Sequence, residues 1–189
     1  MSLRFAPLAA LLLALPLASQ AQEFDAATEA KEVCAACHGG DGLPAVPEAP
    51  IIAGQQFYYL YVQLRDYAAG RRENDTMTPM TANYSKEQMQ ALATWFSEQP
   101  WPRLQAVSAG DVADQAQRAM AAGECSQCHN TYMGDSRIPR LAGQSEHYLS
   151  QTMRDFKSAT RKNAPDMSNL LESYSDADLQ AMAKYLAAL

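Results

Sequence analysis

All four cysteines of the chain lie in two Cys-x-x-Cys pairs, and a histidine follows each pair directly. The residues are Cys34, Cys37 and His38 in the first motif and Cys125, Cys128 and His129 in the second. Two thiols at this spacing on a helical turn can form thioether bonds to both vinyl groups of one haem, and the adjacent imidazole can reach the iron. This is the attachment pattern of c-type haem. The sequence therefore predicts two covalently attached haems c.

Three other uses of paired cysteines fit the sequence less well. A disulfide in an exported protein does not need a histidine after each pair. A zinc ribbon needs two pairs within about 20 residues of each other, whereas 87 residues separate Cys37 from Cys125. A thioredoxin-like motif needs a strand before its helix, and the sequence has no convincing strand alternation. Covalent haem is the interpretation that accounts for both motifs.

The two motifs belong to a tandem repeat of about 80 residues. The Cys-x-x-Cys-His motifs are offset by 91 residues. Pro-x-x-Ala-Gly-Gln, Arg-Asp-aromatic and Tyr-Ser segments recur with offsets of 89 or 90 residues: 50–55 with 139–144, 65–67 with 154–156, and 84–85 with 174–175. Such a register is typical of a duplicated unit. We therefore predict two domains, residues 22–99 and 110–189, joined by a proline-rich linker over residues 100–109.

Each unit is predicted to contain three helices. The ranges are 26–36, 57–69 and the helix after Ser85 in the first unit, and 112–127, 147–159 and the helix after Ser175 in the second. Gln88 and Asp178 stand three residues after these serines, which is the capping-box spacing. Apolar residues at helical spacing give each third helix one buried face. The predicted fold class is all-α, and a large apolar cofactor would complete a core that 80 residues barely supply.

The iron ligand opposite each motif histidine can be narrowed down by elimination. The chain has three histidines, and only His147 lies outside the motifs, so at most one iron could have two histidine ligands. No cysteine remains to act as a thiolate ligand. Methionine is the natural alternative, and His/Met ligation raises the reduction potential of a haem.

Met77 and Met167 match across the repeat and lie between the second and third predicted helices. Each precedes the N-cap serine of the third helix by eight residues. Met80 competes with Met77 in the first unit, whereas the second unit has no comparable rival. We predict Met77 and Met167 as the distal ligands.

Pro50 and Pro139 open the two Ala-Gly-Gln segments. They could serve only to restrict the loop conformation. The interpretation that we favour is that each proline carbonyl accepts the Nδ1 proton of its domain's motif histidine, which orients the ring and raises its basicity as a ligand.

The first residues have the pattern of a cleavable export signal. Arg4 supplies a positive charge, residues 8–18 are apolar apart from Pro16, and Ser19 and Ala21 are small. The apolar run is shorter than the ~18 residues that a spanning helix needs. We predict that residues 1–21 are removed, with cleavage near Ala21, and that the protein is periplasmic.

The charge distribution bears on partners. The chain without its predicted signal has 21 acidic and 14 basic residues, a net charge of −7, which argues against a nucleic-acid partner. Residues 22–100 have a net charge of −6 and residues 101–189 a net charge of −1. This asymmetry indicates oriented docking of the first domain onto a basic partner.

Together these motifs resemble the cytochrome c4 family, exported dihaem proteins with two class I cytochrome c domains. The likeness covers nearly the whole chain after residue 21 and includes the Asn74-Asp75 region and both Met-to-Ser spacings. It implies that Met77 and Met167 are distal ligands, that Pro50 and Pro139 are the histidine partners, and that electrons pass between the two haems.

The second unit departs from the family pattern at two places. Residues 130–133, Asn-Thr-Tyr-Met, lack the glycine seen after the first motif at Gly39, and Ala159-Thr160 replaces Gly70-Arg71. We expect these changes to leave ligation intact and to alter the exposure and potential of the second haem.

The resemblance and the two closed irons imply a carrier of single electrons rather than an enzyme. Its partners would be redox proteins: a respiratory complex, a terminal oxidase or an exported dehydrogenase. Peripheral association with a membrane complex stays open. The alternative is a dihaem redox enzyme, such as a peroxidase or a sulfur-compound oxidoreductase, in which one iron keeps an exchangeable position.

Overall fold

The computed structural model describes residues 23–40, 42–102 and 108–189. The predicted signal peptide and residues 103–107 of the predicted linker lie outside these ranges. No described helix combines the length and the apolar character that a bilayer crossing requires. Across the described ranges the chain is helical, with no β-strand and a single isolated bridge between Asp135 and Ile138.

The described residues of the first domain form four helical segments. Helix α1 spans residues 26–38 and is continuous through three stretches: α-helical Ala26–Glu29, π-helical Ala30–Cys34 and α-helical Ala35–His38. The others are α2 (Phe57–Ala68), α3 (Met77–Thr81) and α4 (Lys86–Ser97). The predicted start of the first helix is confirmed, and the helix continues two residues beyond the predicted end.

The second domain begins with a 3₁₀ turn, Gly110–Val112, that leads into the first of five α-helices. These are α5 (Ala113–Ala122), α6 (Cys125–His129), α7 (Glu146–Lys157), α8 (Pro165–Leu171) and α9 (Asp176–Ala187). The prediction of one unbroken helix over residues 112–127 is wrong, because the chain breaks between α5 and α6.

The break at residues 123–124 lies against the side chain of Tyr174. A Cβ atom at Gly123 would collide with the hydroxyl of Tyr174, which donates to the Ala119 carbonyl at 3.0 Å. Glu124 then adopts a left-handed conformation, with φ of 51°. The tyrosine hydroxyl therefore leaves no room for a side chain at position 123.

The prediction of three helices per unit is also wrong, because α3 and α8 add a short helix before each third helix. Helix α3 has five residues and includes Pro79, and α8 has seven and begins at Pro165. Segments of one or two turns are too short for apolar periodicity to reveal them.

Each domain has its own hydrophobic core. The predicted third helix, which is α4 in the first domain and α9 in the second, lies at the centre of that core. Both predicted buried faces are confirmed, and both capping boxes form, at Ser85–Gln88 and at Ser175–Asp178. The buried cluster of the first domain comprises Ala30, Leu60, Leu92, Ala93 and Phe96. That of the second comprises Met120, Leu149, Phe156, Leu171, Leu179, Met182, Ala183 and Leu186.

Candidate haem-binding site

A cavity of about 740 Å³ extends along both domains and is mainly apolar. Its walls include every residue that the sequence analysis proposed for haem binding: Cys34, Cys37, His38, Pro50, Met77, Cys125, Cys128, His129, Pro139 and Met167. All four cysteines are unpaired. The fold thus brings together, in one cavity, thiols, imidazoles and thioethers that are far apart in the sequence.

The two motif histidines are buried, with 7% of each residue exposed. His38 Nδ1 lies 2.9 Å from the Pro50 carbonyl oxygen, and His129 Nδ1 lies 3.2 Å from that of Pro139. Burial lowers the pKa of both imidazoles, and the hydrogen bonds to the Pro50 and Pro139 carbonyls offset part of this by raising it. A neutral ring that donates through Nδ1 has Nε2 available as a metal ligand.

The backbone presents the first motif at the end of a π-helical turn. The i+5 bonding of residues Ala30–Cys34 passes directly into the turn that contains Cys37 and His38. Single π turns inside α-helices occur frequently at functional sites. The helix then ends at Gly39, whose φ is 77°.

Met77 stands at the start of the short helix α3. Its amide donates to Asn74 Oδ1 at 2.8 Å, and the Thr76 amide donates to the same oxygen at 3.0 Å. Thr81 Oγ1 donates back to the Met77 carbonyl at 2.9 Å. These bonds fix the first turn of the helix on which the Met77 side chain is mounted.

Met80 also borders the cavity, but 42% of its surface is exposed, whereas Met77 is half-buried. In the second domain Met167 is half-buried in α8 and packs against the hydrophobic core. The resemblance between Met77 and Met167 in position and burial favours this pair, and their ligand role stays a prediction.

Two arginines that the sequence analysis did not single out border the same cavity. Arg72 and Arg161 are 9% and 8% exposed. Arg72 donates to Gln63 Oε1 at 2.8 Å and to Tyr148 Oη at 3.0 Å, and Arg161 donates to Gln63 Oε1 at 3.0 Å. In the described part of the chain neither guanidinium forms an ion pair with a carboxylate. The cavity wall therefore contains two buried cations that no described carboxylate pairs with.

The surroundings of Tyr148 reflect this excess of positive charge. Burial by itself would raise the pKa of this phenol, but the charges of Arg72 and Arg161 and the bond from Arg72 outweigh it and lower the pKa to about 7. Buried charges are normally compensated by an opposite charge. The carboxylates of haem propionates have the required sign, so the polar part of the wall fits haem as well as the apolar part does.

The matching positions of Arg72 and Arg161 could have been found from the sequence. They stand 89 residues apart, in the register of the repeat, and each follows the Arg-Asp-aromatic segment by five residues. The sequence has an arginine at the same position of both repeat copies, although the first half is acidic and the second nearly neutral. This pattern indicates a shared role for the two arginines. Their burial, however, follows only from the packing of the two domains.

Two glutamines connect the domains close to the histidines. Gln144 of the second domain receives the Ile51 amide at Oε1 (2.8 Å) and donates to the Ile51 carbonyl (2.9 Å). Gln55 of the first domain receives the Arg140 amide (2.8 Å) and donates to the Arg140 carbonyl (3.0 Å). These are the glutamines that close the two Pro-x-x-Ala-Gly-Gln segments of the repeat, and their spacing in the sequence predicts no role for them.

Comparison with known proteins gives relatives over most of the chain, although no protein-family model matches. The chain is 34% identical to the thiosulfate dehydrogenase electron acceptor of Stutzerimonas stutzeri (strain A1501), over 92% of this chain and 90% of that protein. It is 32% identical to cytochrome c4 of Thiocapsa roseopersicina, over 85% and 89%. The crystal structure of reduced recombinant cytochrome c4 from Pseudomonas stutzeri matches with a TM-score of 0.78 at 28% identity, over 87% and 96%.

These likenesses confirm the resemblance stated from the motifs and the all-α fold of two class I cytochrome c domains. They also confirm two covalently attached haems c and a role in electron transfer, since the relatives are named as cytochromes and as an electron acceptor rather than as enzymes. The chain belongs to the cytochrome c4 family, the dihaem cytochromes that transfer electrons.

Proposed function

We propose that this cytochrome is a periplasmic carrier that accepts single electrons from an exported dehydrogenase and delivers them to a terminal oxidase or another redox protein. Thiosulfate dehydrogenase is the candidate donor, because a relative similar over nearly the whole length is named as its electron acceptor. The observation that carries the proposal is that both Cys-x-x-Cys-His motifs face one continuous cavity shared by the two domains.

The proposed site has the same composition in each domain. The thiols of Cys34 and Cys37, and of Cys125 and Cys128, would tether one haem each. His38 with Met77, and His129 with Met167, would each ligate one iron. Each haem, when bound, would supply an iron that alternates between the ferric and ferrous states. With a histidine and a methionine on each iron, no coordination site would be open to substrate, as expected for outer-sphere transfer.

The remaining wall residues would control charge at the site. Arg72 and Arg161 would neutralise propionate carboxylates. The hydrogen bonds that the Pro50 and Pro139 carbonyls accept would hold the imidazoles in a fixed tautomer. Since Gln63 receives hydrogen bonds from both arginines, the charged parts of the two sites share one hydrogen-bond network. This proximity supports transfer between the domains as well as to partners.

The donor assignment is tested with the haem-loaded protein in its oxidised form. Purified thiosulfate dehydrogenase and thiosulfate should reduce both haems together, observed as the appearance of the reduced α-band, and thiosulfate without the enzyme should reduce neither. Ferricyanide serves as the control acceptor. If the dehydrogenase reduces ferricyanide but leaves this cytochrome oxidised, the donor is another protein.

Docking should depend on the acidic first half of the chain. Its net charge of −6 favours a basic partner surface, so the rate of reduction should fall as ionic strength rises, because salt screens the attraction. A rate that does not change between low and physiological salt would contradict docking through this charge.

The location of the protein and its domain limits are also proposals. Residues 1–21 would direct export and be removed, leaving domains at 22–99 and 110–189. Fractionation of cells that produce the protein, with haem staining, should place it in the periplasmic fraction. The N-terminal residue of that material would establish the cleavage position.

A further inference from the structure

The peptide group that joins Pro50 to Ile51 forms hydrogen bonds at both ends. Its carbonyl oxygen lies 2.9 Å from His38 Nδ1, and its N–H donates at 2.8 Å to Oε1 of Gln144, which belongs to the other domain. One peptide plane therefore connects the imidazole of the first domain to a side chain of the second.

The second domain has the same arrangement. In the peptide group that joins Pro139 to Arg140, the carbonyl oxygen lies 3.2 Å from His129 Nδ1. The N–H of the same peptide donates at 2.8 Å to Oε1 of Gln55. Gln55 and Gln144 are 3% and 2% exposed. Because they are buried, water does not compete for these bonds.

We propose that Gln144 and Gln55 are positioning residues that set the reduction potential of the haem in the opposite domain. The inference rests on the proposed function in one respect, that His38 and His129 are iron ligands. It assigns to each glutamine an effect across the interface that is larger than its effect on its own domain's haem.

The physical basis is polarisation along a chain of hydrogen bonds. An acceptor on the N–H side of an amide increases the negative charge on its carbonyl oxygen, and hydrogen bonds in such chains strengthen one another. A stronger acceptor at Pro50 makes the His38 ring more basic as a ligand. A more basic ligand stabilises ferric iron, so the bond from Gln144 lowers the potential of the first haem.

Other contacts between the domains do not have this connection. Gln56 donates through Nε2 to the Met133 carbonyl at 3.2 Å, and the Tyr59 amide donates to the Ser136 carbonyl at 3.2 Å. Neither bond involves the peptide that accepts a histidine proton. Gln56 is therefore a matched control: the same residue type, next in sequence to Gln55, with a hydrogen bond across the same interface.

The test uses the haem-loaded variants Q144M, Q55M and Q56M, with each potential assigned to its haem by spectroelectrochemistry. Methionine has a similar length and cannot hydrogen-bond to the peptide as glutamine does. Q144M should raise the potential of the first haem, Q55M should raise that of the second, and Q56M should move neither. The Nδ1 proton resonance of the motif histidine in the opposite domain should shift in Q144M and Q55M and stay in place in Q56M.

A further variant separates polarisation from loss of packing. Q144E keeps an oxygen that can accept from the Ile51 N–H, and its second oxygen, when protonated, can donate to the Ile51 carbonyl as Gln144 Nε2 does. It should leave the His38 Nδ1 proton resonance closer to its position in the unmodified protein than Q144M does. Equal shifts of both haems in Q144M, or a shift in Q144E as large as that in Q144M, would overturn the inference. If the unmodified protein lacks histidine-ligated haem spectra, the proposed function has failed instead.

Discussion

The two domains present the same motif on different backbones. In the first domain, α1 runs without interruption through a π-helical turn to His38 and ends at a glycine. In the second, the chain breaks after α5, and the short α6 has left-handed residues at both ends, Glu124 and Asn130. The bond from the histidine to the proline carbonyl is nevertheless present in both domains. The position of the histidine is therefore the same in the two domains, whereas the backbone that precedes the motif differs.

The domains also differ in where backbone strain is found. In the described part of the chain, all six non-glycine residues with positive φ lie in the second domain: Glu124, Asn130, Thr131, Tyr132, Ser136 and Ala159. The first domain uses glycines in its left-handed positions, as at Gly39 and Gly70. Left-handed conformation costs an ordinary residue roughly 1–2 kcal/mol. The backbone around the Cys-x-x-Cys-His motif therefore has a less favourable conformational energy in the second domain than in the first.

The largest expected difference comes from removing a distal ligand. Met77→Ala and Met167→Ala should each abolish the near-infrared Met–Fe(III) band of one haem and lower its potential, because His/Met ligation raises the potential. Absorption spectra of the oxidised variants, with redox titration, measure both effects.

Met80→Ala is the matched control for the first domain, since Met80 borders the same cavity but is more exposed. It should leave the band unchanged. If Met80→Ala removes the band and Met77→Ala does not, the ligand assignment in the first domain is wrong, while that in the second domain stands.

A smaller effect should follow from exchanging the residues at the ends of the second helices. Gly70 and Ala159 both have positive φ, 66° and 56°, and a Cβ at Gly70 would meet no other atom. Ala159→Gly should therefore stabilise the protein by about 0.5–1 kcal/mol, and Gly70→Ala should destabilise it by about 1 kcal/mol. Denaturant unfolding of the loaded protein measures both. A loss of stability in Ala159→Gly would show that strain at this position is relieved elsewhere.

The smallest effect concerns the two capping boxes. The residue three places after the N-cap serine is Gln88 in the first domain and Asp178 in the second. The hydrogen bonds from Ser175 and Gln115 hold the pKa of Asp178 below its ordinary value, whereas Gln88 does not titrate. A depressed pKa stabilises the fold above the unfolded value, and that contribution disappears as the pH falls below about 4. Protection of α9 amides from hydrogen exchange should weaken in acid more than that of α4. Asp178→Asn should remove the difference, and a difference of the same size in that variant would contradict the role of Asp178.

Much of the site could be predicted from the sequence, because its chemistry is local. Cys34, Cys37 and His38 fall within one helical turn, so spacing by itself predicts what they bind. The third helices were also predictable, since twelve residues are enough to show an apolar face.

The remaining features depend on contacts between distant residues. The close packing at Gly123, before α6, involves Tyr174, which is about 50 residues further along the chain. The roles of Gln144 and Arg72 depend on partners in the other domain, at separations of 93 and 76 residues. A pattern within one repeat contains no information about what its twin places against it, so these roles required the structure.

The paired glutamine contacts have a consequence for how such a molecule can arise and diverge. The glutamine of each domain contacts the backbone of the matching segment in the other domain, which is the kind of contact found in dimers with two-fold symmetry. Two separate copies of an ancestral single domain could therefore associate through the same contacts. Fusion into one chain raises the effective concentration of the halves. Because the glutamines contact main-chain atoms, the side chains there are free to differ, as Ile51 and Arg140 do. The halves can evolve separate surfaces and potentials while the joint between them stays the same.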